Sequence, residues 1–159
     1  MQHVFGYGSL PAEVGGVPCR LRDHRREWVV AMDNRETIPG YKVYLDPETG
    51  EQPPVHVAYL SIAPAPGEDV EGVAFPVTDT QLAALDRRER NYDRHDVTDL
   101  VDADLGGRVW AYAGSAAGRR RFADALRAGT AVVAHGYLEK VGVPTDLPVR
   151  RLLRRDVGA

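Results

Sequence analysis

The chain has 159 residues, of which 43% are hydrophobic and 27% charged, with a formal net charge of -3. That is the size of a single domain, large enough to bury roughly 68–70% of its unfolded surface without disulfides or a structural metal. Its mild acidity, with a pI near 5.9, argues against nucleic acid as the main partner, because phosphate binding favours a basic footprint.

The one cysteine, Cys19, cannot form an intrachain disulfide and suits a reducing compartment. The opening residues, Met1-Gln2-His3-Val4-Phe5-Gly6, lack a basic stretch followed by an apolar one. No apolar run approaches the ~18 residues of a membrane span. The expectation is a cytoplasmic protein that engages neither nucleic acid nor membrane.

In chain order, the first expected strand is Gln2 to Tyr7, followed by a loop punctuated by Pro11, Gly15, Gly16 and Pro18. Cys19 to Met32 reads as a second strand, possibly bent, and Lys42 to Leu45 as a third. The turn Asp46-Pro47-Glu48-Thr49-Gly50 follows, with Pro setting φ and Gly accepting a left-handed conformation. Val55 to Ile62 and Glu71 to Val77 read as separate strands, divided by the breaker run Pro64-Ala65-Pro66-Gly67.

Thr78 to Arg90 is the first expected helix, with Thr78 as N-cap and Gln81 completing a capping box. Strands are expected from Tyr92 to Val101 and from Arg108 to Tyr112. Gly114-Ser115 opens a helix over Ala116 to Arg127, and a further helix is expected over Ala131 to Val141. Pro148 to Ala159 reads as a basic, poorly patterned tail. Strands with one embedded helix, then strands, then helices give an α+β class, and the strand spacing suits a small barrel. The expected organisation is one domain over residues 1–147 and a basic tail over 148–159.

Two segments carry chemistry. In Val4-Phe5-Gly6-Tyr7-Gly8-Ser9-Leu10 a strand runs into two glycines around a tyrosine, then a serine. Glycine permits a sharp turn and close approach of a ligand to the main chain. Successive N–H groups in such a turn can form a concave anion site; the plainer alternative is an ordinary strand-to-loop turn. Neither a phosphate loop nor a dinucleotide fingerprint is present: no lysine follows, and Pro11 stands where a helix would begin.

The second segment is Leu82-Ala83-Ala84-Leu85-Asp86-Arg87-Arg88-Glu89-Arg90-Asn91-Tyr92-Asp93-Arg94. On a helix, Leu82, Leu85 and Glu89 fall within roughly 60° of one another. A carboxylate on an apolar stripe is costly unless paired or protonated. Desolvation would raise its pKa towards the range of a general acid/base at neutral pH. The alternative is a glutamate at the helix end paired with Arg94 or Arg20. Asp86, at the edge of the same face, reads as a structural residue that bonds nearby backbone.

The other candidates are weaker. His3, His24, His56, His95 and His135 show no metal-ligand spacing, and no metal or cofactor is expected. No G-x-S-x-G elbow surrounds Ser9. Cys19, Trp28 and Trp110 read as core residues, and Arg119-Arg120-Arg121 as a solvated helix face.

Together, the two segments resemble the γ-glutamylcyclotransferase-like (AIG2-like) family. Its Y-G-S-L element is matched by Tyr7-Gly8-Ser9-Leu10, and its G-x-x-F-x-V strand by Gly72-Val73-Ala74-Phe75-Pro76-Val77. Its L-x-x-L-D-x-x-E helix is matched by Leu82 to Glu89, and its Y-x-R segment by Tyr92-Asp93-Arg94. The resemblance covers about residues 2 to 113. The spacing from Glu89 to Tyr92 looks shorter than in the better-known members.

The resemblance implies a small mixed β-barrel flanked by helices, with the site at its mouth. It also implies a metal-independent enzyme of the amidine-lyase or acyltransferase type, with Glu89 as catalytic acid/base. A γ-glutamyl amide would be held by Tyr7, Gly8, Ser9 and Leu10, with Tyr92 and Arg94 as further substrate-binding residues. Arg94 would pair with Glu89 or with the substrate carboxylate. The products would be 5-oxoproline and an amine or amino acid. The alternatives are a sister γ-glutamyl acyltransferase of secondary metabolism and a non-enzymatic small-molecule-binding module. The expected partner is a small γ-glutamyl molecule, and the expected state a monomer or weak homodimer.

Overall fold

The computed structural model describes residues 1–8 and 16–158. They pack as two compact units, one formed by Met1–Glu27 with Leu60–Gly114 and the other by Trp28–Tyr59 with Ser115–Ala159. The strands β2 (Val17–Asp33) and β4 (His56–Val77) pair with each other, and each contributes residues to both units. The α+β class expected from the sequence is the observed one: a large mixed sheet and, among the described residues, three α-helices. None of these helices is long and apolar enough to cross a membrane.

In the first unit, β1 (Gln2–Gly6) is central. It runs antiparallel to the end of β4, from Gln2 opposite Val77 to Gly6 opposite Val73. On its other side it runs parallel to β6 (Val109–Gly114), with Val4 beside Trp110. The strand β5 (Tyr92–Asp96) completes the row antiparallel to β6, with Arg94 opposite Tyr112.

Helix α1 (Asp79–Arg88) begins where the sequence places it. Gln81 N–H donates to the Thr78 hydroxyl at 3.1 Å, and the Gln81 side chain accepts from Thr78 N–H at 2.9 Å. Its Leu82 packs with Val4, Phe75 and Tyr112, flanked by Val77, Leu85, Tyr92 and Trp110. Full burial of side chains of this size contributes roughly 1.5–3 kcal/mol each.

Three expectations for this unit are corrected. Val55 to Ile62 and Glu71 to Val77 are not separate strands, because β4 runs unbroken through Pro64-Ala65-Pro66-Gly67. Residues two apart send their main-chain nitrogens to the same edge, so Pro64 and Pro66 remove donors from one edge only and leave the other able to pair. Gly67, at φ 83°, turns its N–H to the Asp23 carboxylate at 2.9 Å, and Asp23 itself sits at φ 58°.

The strand expected from Tyr92 to Val101 stops at Asp96. The Asp96 carboxylate captures the Thr98 hydroxyl at 2.6 Å and its N–H at 3.0 Å, and turns the chain into a 3-10 turn over Thr98–Leu100. The helix expected to reach Arg90 ends at Arg88.

In the second unit, the start of β4 runs parallel to β7 (Ala131–Ala134), and β7 parallel to β8 (Val149–Arg150). The strand β3 (Lys42–Leu45) pairs antiparallel with β9 (Leu153–Asp156). Helix α2 (Ala116–Ala128) is capped by Ser115, which accepts from Gly118 N–H at 3.1 Å, and closes on Gly129 in the left-handed conformation. Ala31, Ala58, Phe122 and Val133 form the buried centre of this unit.

Two corrections follow here. Ala131 to Val141 is not one helix: its first four residues are β7, wholly buried, and α3 spans only His135–Val141. Pro148 to Ala159, expected as a tail, carries β8 and β9. In neither unit do the pairings among described residues close on themselves.

Candidate functional site

Glu89 is the C-cap of α1, at φ -86° and ψ 61°. Its N–H still reaches the Leu85 carbonyl at 2.9 Å, while its own carbonyl accepts the Tyr92 N–H at 3.1 Å. The backbone has thus left helical geometry at Glu89 itself, so the helical projection that set it beside Leu82 and Leu85 runs past the helix end. The residue is nonetheless half-buried. The short interval from Glu89 to Tyr92 is a single hydrogen-bonded turn that passes straight from α1 into β5.

The arginines expected near Glu89 have other partners. Arg94 gives Nε and Nη2 to Asp86 at 2.9 and 3.2 Å, and its guanidinium lies 4.3 Å from the centre of the Trp110 ring. Arg20 pairs with Glu71 at 3.1 Å. Asp86, read from the sequence as bonding nearby backbone, instead accepts from two side chains: Arg94 and the Tyr112 phenol, the latter at 2.7 Å. Burial pushes the Tyr112 phenol well above its ordinary pKa; its bond to the Asp86 carboxylate and the negative charges of Asp86 and Glu89 push the same way.

Tyr7 is buried at the end of β1. Its phenol donates to the backbone carbonyl of Tyr112, and its own carbonyl accepts from Arg26 Nη1 at 3.1 Å. Gly8 follows in a half-buried bend. Ser9 and Leu10, the second half of the expected cradle, lie outside the described residues. The Tyr92 phenol donates to the Leu60 carbonyl at 2.7 Å. Beside it the fully buried Ser61 hydroxyl accepts Gly114 N–H at 2.9 Å and donates to the Ile62 carbonyl at 2.9 Å. The end of β1, the Leu60–Ile62 stretch of β4, the start of β5 and the end of β6 are thereby bonded to one another.

An open cleft of about 350 Å³ is lined by Asp86, Tyr92, Asp93, Arg94, Trp110 and Tyr112. Of the residues expected at the site, Tyr92 and Arg94 line it, Tyr7 is bonded to the backbone of the lining residue Tyr112, and Gly8 and Glu89 are not among the residues that line it. Sequence reasoning missed the parts played by Asp86, Trp110 and Tyr112. The signal was the register: Arg94 opposite Tyr112 puts both on the face that also carries Trp110.

Fold and cleft define a class of mixed α+β protein in which a helix carboxylate, Asp86, is linked through Tyr112 to Tyr7 beside an open cleft. Residues 4–128 match the family model described as "Gamma-glutamyl cyclotransferase, AIG2-like", and the chain belongs to that family. Among solved structures, it is similar to one titled "Gamma-glutamyl cyclotransferase", at 19% identity and a TM-score of 0.45, over 71% of this chain and 66% of that one. A human protein, titled as an ensemble refinement of the crystal structure of an uncharacterized protein, gives the same identity, coverage and TM-score. The chain thus spans 66% of the length of these two structures. No curated protein matches the sequence.

Proposed function

We propose that this chain is a metal-independent γ-glutamylcyclotransferase that releases 5-oxoproline from a γ-glutamyl amide. The observation that carries this reading is the family match over residues 4–128, a span that includes both Tyr7-Gly8-Ser9-Leu10 and Glu89. The half-buried position of Glu89 at a helix end supports the role of proton carrier.

In this reading the Glu89 carboxylate takes a proton from the α-ammonium of the substrate. The freed amine attacks the γ-carbonyl of the same molecule, and a five-membered lactam closes. The amide C–N bond then breaks as the proton held by Glu89 goes to the departing amine; the surplus proton of the attacking nitrogen passes to the regenerated Glu89 carboxylate and on to the freed amine, which leaves as an ammonium. In this reading main-chain N–H groups of Tyr7-Gly8-Ser9-Leu10 hold the carboxylate and carbonyl oxygens.

Intramolecular attack gains its rate from a held near-attack geometry. Acid/base assistance adds typically 10²–10⁴-fold, and one backbone oxyanion donor roughly 2.7–4 kcal/mol. The test is mass-spectrometric detection of 5-oxoproline after incubation of the folded protein with a panel of γ-glutamyl dipeptides and γ-glutamyl amines. Release from at least one substrate is expected; a folded protein that turns over none would refute the assignment.

A further inference from the structure

We propose that Asp86 is a positioning residue, a tie that holds the last turn of α1, and with it Glu89, against the strands that carry Tyr7 and Tyr112. The inference rests on the role proposed for Glu89. Asp86 itself would not touch the reacting atoms.

The geometry is specific. Asp86 lies three residues before Glu89, one helical turn back. Its Oδ1 accepts the Tyr112 phenol from β6 at 2.7 Å and Arg94 Nε from β5 at 2.9 Å, while Oδ2 accepts Arg94 Nη2 at 3.2 Å. Arg94 and Tyr112 are register partners, so one carboxylate bridges a helix to two adjacent strands. The Trp110 ring backs the guanidinium, its centre 4.3 Å away. Two-pronged Arg–carboxylate bonding constrains orientation as well as distance. The same Tyr112 accepts the Tyr7 phenol on its carbonyl. A continuous chain of bonds, Asp86 to Tyr112 to Tyr7, thus joins the last turn of α1 to the strand end that leads into Gly8.

Exposure separates positioning from stability. The Asp86 and Arg94 side chains are 39% and 28% exposed, and ion pairs so near solvent contribute little to stability. Helix ends fray, and α1 leaves helical geometry at Glu89. A displacement of about 1 Å at a reacting group can cost on the order of 10²-fold in rate. Loss of the tie should therefore show in turnover before it shows in unfolding.

The experiment compares wild type, Asp86→Ala and Asp86→Asn by kcat and KM for 5-oxoproline release and by amide hydrogen exchange. With Asp86→Ala, kcat falls about tenfold or more while KM stays within about twofold, and amides over residues 85–92 exchange faster. Asp86→Asn keeps an oxygen for the Tyr112 phenol and restores part of kcat. Unchanged kcat, or a raised KM at unchanged kcat, would overturn the proposal; the second result would make Asp86 a substrate contact. If wild type releases no 5-oxoproline, the cyclotransferase reading fails on its own. Exchange then decides the tie: faster over residues 85–92 in Asp86→Ala sustains it, and unchanged exchange overturns it.

Discussion

The phenol of Tyr7 donates to the backbone carbonyl of Tyr112, so the end of β1 is fastened to β6 at the residue whose own phenol binds the carboxylate of Asp86. One tyrosine thereby serves two strands and a helix. Tyr7→Phe removes the donor and leaves the ring. A buried acceptor that loses its partner costs about 1–2 kcal/mol. The unfolding free energy from urea titration should fall by that amount, with a lower midpoint at unchanged slope, and the bend at Gly8 should lose its anchor. A stability equal to wild type would contradict this.

Gly72 lies in β4, along the other edge of β1. A Cβ there would lie 2.6 Å from Phe5 Cζ and closer still to the Gly6 carbonyl oxygen. Phe5 is fully buried, and Gly6 is held in the β1–β4 ladder, so neither can give way cheaply. Gly72→Ala should destabilise by about 1–3 kcal/mol, the range for overpacking. Thermal or chemical denaturation would detect it, and a neutral effect would show that β1 and β4 can separate without cost.

Acid should loosen the protein through Asp33. Its carboxyl is held down to about 2, first by hydrogen bonds from the Arg35 side chain, then by the Arg35 N–H and the nearby His56. Because the folded value lies below the ordinary 3.8, the stabilisation is fully present above pH 4 and is lost as the pH falls towards 2. The side chain is 12% exposed, but its Arg35 partner is 60% exposed. After screening, about 1–2 kcal/mol is at stake.

His3 acts in the same direction. It is buried, its Nδ1 has no hydrogen-bond partner among the described residues, and burial lowers its pKa, with the N-terminal ammonium adding to the effect. Protons therefore bind the unfolded chain first as the pH falls below about 6.5. Urea unfolding of wild type and Asp33→Asn at pH 7 and pH 3 should show the gap between them narrowing in acid. A constant gap would remove Asp33 from the account.

Much of this was readable from the residues, for local reasons. The capping box of Thr78 and Gln81 fixes where α1 starts, and Ser115 does the same for α2, because caps are settled by a few adjacent side chains. The strand Lys42–Leu45 was bounded by a proline–glycine turn that leaves little freedom.

What stayed hidden depended on distant partners. Ala131-Val132-Val133-Ala134 is buried at every position, and a short apolar run carries no period to distinguish strand from helix. Leu153-Arg154-Arg155-Asp156 is exposed at every position, so nothing alternates, and only its pairing with β3 makes it a strand. At the site, Glu89 and Tyr92 stood out as a pattern. The bridging of Asp86 between Arg94 and Tyr112 came only with the β5–β6 register.

The most direct test of the central claim is the turnover of Glu89→Gln beside wild type, on whichever γ-glutamyl substrate wild type converts. The amide keeps the size of the side chain and removes its ability to carry a proton. With the fold confirmed by circular dichroism, 5-oxoproline release should fall by about a hundredfold or more, the lower range of acid/base assistance. A folded Glu89→Gln protein that releases 5-oxoproline at the wild-type rate would contradict the assignment of Glu89 as the proton carrier.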